Sequence, residues 1–230
     1  SGMSVDGSNK LFQRKLETQT GNDRFYKKKF FSSLIKQSNF LLRNLNSLLY
    51  EPDKIICCAA IILSGIIFGE SYLNYKIGVK ELEKVIKSYF NENGFPKSRN
   101  PEEIYICLKY LILIREWFKE SQKPIPDFLN EIISKCGNCY IMLSSANKQF
   151  PLFNGAAEIN HKEYDVFLKN LKYKFTYESN EIANFFKIKK KKLEFFIDCG
   201  DPPPNSFAKY YQAGCLAFEL ISNKQKIICN

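Results

Sequence analysis

Helices come first and antiparallel strands second in this chain, which predicts an α+β fold of more than one domain. Three observations carry that reading. Apolar residues recur at intervals of three and four through about the first 150 residues. After Lys172 the pattern changes to short segments rich in β-branched and aromatic residues, separated by turn residues. Helical and strand patterns never alternate, which excludes a βαβ architecture. The 230 residues are 45% hydrophobic and 25% charged. That composition excludes a disordered, collagenous or coiled-coil chain.

The elements follow in order. Tyr26, Phe30, Leu34, Leu41, Leu45 and Leu48 share one helix face, with Asn22 and Asp23 as its expected cap. Pro52 suits the first turn of a second helix, which carries the apolar run Ile55 to Phe68. A third helix covers roughly Tyr72 to Phe90, with Leu82, Val85, Ile86 and Tyr89 inward and Gly94 beyond its end. The fourth follows Pro101; its two apolar stripes, led by Ile104 and Tyr110, imply burial on both sides. A fifth runs from near Pro126 to about Leu143. Strands are expected at Ile182–Ile188, Leu193–Cys199, Ala213–Ile221 and Lys224–Cys229. Ser222-Asn223 is the turn signal between the last two, and Pro202-Pro203-Pro204 must be a loop.

Bulk properties narrow the function classes. Net charge is +10, but only five of the 34 basic residues are Arg. Nucleic-acid readers lean on Arg, so the run Lys187 to Lys192 reads as a solvated hairpin turn and no nucleic-acid partner is expected. No Walker loop or dinucleotide fingerprint is present. The longest apolar run is shorter than the roughly 20 residues that span a bilayer, so no transmembrane segment is expected. Eight cysteines include one Cys-x-x-Cys, Cys136 and Cys139, without a partner pair. They read as free thiols in a reducing compartment, with no metal and no cofactor. The single histidine, His161, reads as a surface residue in a loop. Nothing in the sequence bears on oligomeric state.

Three segments together resemble the heparinase II/III-like family, in particular its alphaproteobacterial branch. NENGFPKSRNP, Asn91 to Pro101, is similar to the branch's DGGHxSRNP motif. PLFNG, Pro151 to Gly155, is similar to LPLFNG. DCGDPPP from Asp198, followed by YQAGCLAFE from Tyr211 to Glu219, is similar to DxGxPP followed by HAGxLSFE. The resemblance implies an incomplete α/α toroid followed by an antiparallel β-sandwich. Its expected boundaries are 1–157 for the end of the toroid, 158–178 for a linker and 179–230 for the first sandwich strands. It also implies an internal fragment of a longer protein.

Family lyases cleave uronic-acid-containing glycans by β-elimination in a cleft between toroid and sandwich, so an acidic polysaccharide is the implied partner. Net positive charge suits a polyanion. The motif loop places Asn93, Ser98, Arg99 and Asn100 as candidate substrate-binding residues, with Asn154 and Gln212 from the other two motifs. Arg99 offers a guanidinium fork for a carboxylate, or a tie between loop and helix. The wider family's HAHADxLSF motif, aligned on Leu216-Ala217-Phe218, puts Tyr210 and Gln212 where its two histidines stand and Gly214 where its Asp stands. A metal site is therefore not expected. Tyr210 and Tyr211 remain as candidate catalytic phenols, each needing a cation to lower its pKa; their other role is packing at the domain junction. The alternative reading is a non-catalytic glycan-binding or cell-envelope polysaccharide protein that has lost the catalytic histidines. The family's lyases are often periplasmic, whereas free cysteines favour the cytoplasm.

Overall fold

The structure is a computed structural model and describes residues 24–69, 74–146, 148–159, 161–212 and 214–229. Its described residues form six α-helices followed by a five-stranded sheet. The helices are α1 (Arg24–Asn44), α2 (Glu51–Phe68), α3 (Asn74–Tyr89), α4 (Pro101–Glu120), α5 (Asp127–Leu143) and α6 (His161–Asn170). The strands are β1 (Glu181–Ile182), β2 (Phe185–Lys190), β3 (Leu193–Asp198), β4 (Phe218–Ser222) and β5 (Gln225–Ile228). Among the described residues no helix is long and apolar enough to cross a membrane. The expected caps Asn22 and Asp23, and Tyr72, lie outside the described residues.

The chain divides into two compact units. The first combines residues up to Ile86 with Lys109–Asn130. Its centre is α2, where Pro52 sits in the first turn and Ile55, Cys58, Ile61 and Ile62 are buried. Helices α2 and α3 meet so closely that a Cβ on Gly65 would lie 2.5 Å from the Tyr75 nitrogen. Ser38 of α1 joins them through Ser64 (2.6 Å) and the Asn74 amide (3.1 Å). The face expected on α1 is only partly inward: Leu45 is buried, yet Tyr26 is 51% exposed. Aromatic rings finish the packing, with Tyr75 set edge-on to Phe118 at 5.6 Å.

The second unit combines Lys87–Leu108 with Glu131–Asn230. Its sheet is a meander in the order β1-β2-β3-β4-β5, every pair antiparallel. Side chains alternate along each strand, and the inner face takes Phe185, Lys187, Glu194, Phe196, Asp198, Glu219 and Ile221. Four of these are ionisable, which is unusual for a buried face. They grip backbone. Lys187 donates to Ser144 O (2.6 Å), while Glu194 accepts from Ala146 N (2.8 Å) and Glu219 from Leu152 N (2.7 Å). Lys226 of β5 adds a bond to Phe150 O (2.9 Å) and an ion pair with Glu219 (2.9 Å). The segment from Ser144 to Leu152 is thus held across the sheet by side chains.

Several expectations are corrected here. The strand expected over Ile182–Ile188 is broken into β1 and β2 by a turn at Ala183 and Asn184, both left-handed (φ 52° and 60°). Of the strand expected over Ala213–Ile221, Ala213 lies outside the described residues and the strand itself begins only at Phe218; the last turn falls on Asn223 and Lys224, again both left-handed (φ 50° and 68°). Lys187 is not part of a solvated turn: it is 4% exposed because its pleat position points inward. Residues expected to be linker hold α6, and His161 opens that helix and is only 6% exposed, neither in a loop nor on the surface. Its ring packs edge-on against Phe150 (centroids 4.9 Å apart).

Candidate functional site

The three motif segments meet at one buried node in the second unit. The first is a loop between α3 and α4. Asn91 starts it: its side-chain oxygen accepts the amides of Asn93 (3.0 Å) and Phe95 (2.9 Å). Gly94 follows at φ 76°, pressed against Lys135 and Cys136, where only glycine combines that angle with that space. The thiols of Cys136 and Cys139 donate to Gly94 O (3.1 Å) and Asn93 O (3.3 Å). Burial pushes the Cys139 thiol up to about 12. Among the described residues no group of His, Cys, Asp and Glu is placed to hold a metal ion.

At the loop's end Asn100 caps α4, accepting Glu102 N at 2.8 Å. Glu103 is 2% exposed and takes the hydroxyls of Tyr89 and Ser98. Burial, then Cys107 and Glu103, push the Tyr89 phenol far above its ordinary range, so it is a neutral donor. Ser98 and Asn100 therefore serve the start of α4.

Arg99 lies between them at φ 61°, in the left-handed region. Its guanidinium is buried, pairs with Asp198 at the end of β3, donates to Ala183 O (3.1 Å) and stacks on Phe185 (4.4 Å). Asn154, from PLFNG, joins the same carboxylate: its amide donates to Asp198 (2.9 Å) and to Arg99 O (2.9 Å). The Gly200 amide supplies a further donor to Asp198 at 3.0 Å. Any side chain at Gly200 would collide with the guanidinium. Gly214, from the Tyr211–Glu219 part of the third motif, faces the Asn154 side-chain oxygen, which is buried without a partner. The carboxylate that the Arg99 fork holds is thus the chain's own, leaving no free fork for a ligand.

The other candidates divide in two. Tyr210 is 48% exposed, with its carbonyl against Gly155 and the Lys209 ammonium 5.0 Å over its ring. Gln212 is exposed beside it in the chain. The Tyr211 phenol is raised by burial, then by Asp198 and Cys215, against a smaller lowering by Arg99. It is therefore near the node, but shifted opposite to what a phenolate base needs. Asn93 is exposed and apart from this group, its carbonyl spent on Cys139. Sequence reasoning passed over Asp198 as a site residue and Glu103 as the partner of Tyr89. The available signals were the Arg99-bearing loop and the Asn100-x-x-Glu103 spacing of a capping box.

Residues 179–230 match the family model described as Heparinase II/III-like, C-terminal. Comparison with curated proteins gives no match. Among solved structures, heparinase III is similar at TM-score 0.73 and 12% identity, over 96% of this chain and 41% of that one. The heparan sulfate lyase HepC from Pedobacter heparinus is similar at TM-score 0.62 and 14% identity, over 86% of this chain and 35% of that one. A HepC mutant gives TM-score 0.66 at the same identity and coverage. The chain thus spans well under half the length of these lyases. Its helices-then-sheet architecture is the fold of these structures, and its C-terminal 52 residues, 179–230, match the family model that its motifs resemble.

Proposed function

We propose that this protein is a polysaccharide lyase relative that acts on an acidic, uronic-acid-containing glycan by β-elimination. The observation that carries the reading is the heparinase III fold along 96% of the chain, with the motif segments joined at one buried node. That reaction needs the uronate carboxylate neutralised, the weakly acidic C5 proton removed and the leaving oxygen protonated. Arg99 is committed to Asp198, so the cation for the carboxylate is Lys209, beside Tyr210. Tyr210 is the exposed phenol for proton transfer, and Gln212 an exposed hydrogen-bonding partner for sugar hydroxyls. Arg99, Asn154 and Asp198 act beneath them by fixing the loops.

A second reading, glycan binding without catalysis, is favoured by the raised Tyr211 phenol and by the two motif histidines standing here as Tyr210 and Gln212. One experiment separates the two. The full chain is incubated with heparan sulfate, alginate and bacterial exopolysaccharides, and the ultraviolet absorbance of unsaturated uronate is followed. Product that disappears in Tyr210→Phe and falls steeply in Lys209→Ala supports the lyase. Retention on an acidic glycan column with no product on any substrate supports binding alone; neither product nor retention removes both readings.

A further inference from the structure

We infer that a cleft beside His161 is a binding site for a small hydroxylated anion, of the size and chemistry of a single sugar acid. The cleft shares no residue with the Arg99 node, and the inference does not depend on the lyase reading. Its volume is about 460 Å³, inside the range of roughly 300–1,000 Å³ common to small-molecule sites. Phe150, Leu152 and Ile159 form an apolar part of the lining. Lys148, Lys162 and Lys226 bring positive charge to it, against a single acid, Glu158.

His161 defines what the ligand must offer. The residue lines the cleft and is 6% exposed. Its Nδ1 stands 3.3 Å from the Tyr140 hydroxyl, which in turn reaches Asp165 Oδ1 at 3.5 Å. A tyrosine that donates to the aspartate accepts from Nδ1–H, so the neutral ring presents a bare lone pair at Nε2. Burial keeps the ring neutral by holding its pKa below the ordinary value; Asp165 opposes this and Lys148 adds to it. Nε2 is buried and has no hydrogen-bond partner. A lone pair in that state calls for a donor. A fully deprotonated anion such as chloride, sulfate or acetate has none to give, whereas a sugar hydroxyl does.

The charge requirement comes from the same few residues. Lys148 is engaged with Asp165 (3.3 Å) and Lys226 with Glu219 (2.9 Å). Lys162 makes no ion pair among the described residues, and it stands in the first turn of α6, where the helix end also favours an anion. A hydroxyl for Nε2 and an acidic group for Lys162 and the helix end are two requirements that one hydroxy acid meets together.

The single histidine makes the test direct, because the full chain gives one imidazole ring signal. Long-range proton–nitrogen NMR follows Nδ1 and Nε2 during titrations with glucuronate, glucose and acetate. Glucuronate is expected to move Nε2 saturably while Nδ1 stays protonated, and glucose or acetate at equal concentration is not. Lys162→Ala, an exposed change checked for folding by circular dichroism, is expected to weaken glucuronate about tenfold, the size of one charge-assisted hydrogen bond. No saturable movement with glucuronate, an equal movement with acetate or glucose, or unchanged affinity in Lys162→Ala would each overturn the inference.

Discussion

Asp198→Ala is the most demanding test of the buried node. The carboxylate is 1% exposed and accepts from the Arg99 guanidinium, the Gly200 amide and the Asn154 side chain. Removing it leaves an unpaired guanidinium in a site where that residue is itself only 9% exposed. Breaking a buried pair from one side costs about 3–5 kcal/mol. In a domain of this size that corresponds to a fall of roughly 6–20 °C in Tm. Urea unfolding followed by circular dichroism gives the cost, and hydrogen exchange at the Gly200 amide localises it to the second unit. Arg99→Ala should cost about as much. The double variant should fall short of the sum by about 1–3 kcal/mol, since each single change already destroys the same interaction. A loss under about 1 kcal/mol for Asp198→Ala, or strict additivity in the cycle, would refute the assignment of a tight buried pair.

Other expectations follow from the same geometry. Gly65→Ala should destabilise the first unit by about 1–3 kcal/mol in urea unfolding, because its new methyl meets the Tyr75 backbone and not a movable side-chain tip. The His161 pKa is held below its unfolded value, so its contribution to stability is complete above about pH 6.5 and is lost as pH falls toward the depressed folded value. Urea midpoints between neutral and mildly acidic pH should therefore decline, and His161→Gln should flatten that decline. With a thiol reagent, Cys199, Cys215 and Cys229 should react in the native chain. The five buried cysteines should react only on unfolding, as burial raises their thiols.

Sequence periodicity located the helices well where a run of apolar residues dominates, as over Ile55 to Phe68, because such a run leaves the chain one way to bury itself. It failed at Ala183 and Asn184, where two left-handed residues fold a hairpin inside an apparently continuous strand; alanine carries no turn signal. The lysine run misled for a related reason. Lys187 and Lys189 both take the inward face of the pleat, Lys189 opposite Glu194, yet only Lys187 is buried, where a carbonyl at Ser144 awaits it. The motifs singled out residues that do meet in space, yet composition alone does not say whether an arginine beside an aspartate serves a ligand or the fold. That distinction depended on Asp198 arriving 99 residues later in the chain at hydrogen-bonding distance. His161 was misjudged because its burial is made by Tyr140 and Phe150, which are remote from it in sequence.

The side-chain grip on the segment from Ser144 to Leu152 has a consequence for how the second unit is assembled and taken apart. Its bonds join residues 43, 48, 67 and 76 positions apart, so none can form until distant chain has been gathered. Such contacts are slow to close and favour a late, concerted step in folding. They also set register: sliding a strand by one residue would turn Glu194 or Glu219 to the opposite face and release the amide it holds. The segment therefore cannot fray as an ordinary loop does. The amides of Ala146 and Leu152 should exchange with solvent as slowly as those of β3 and β4, opening only when the strands themselves come apart.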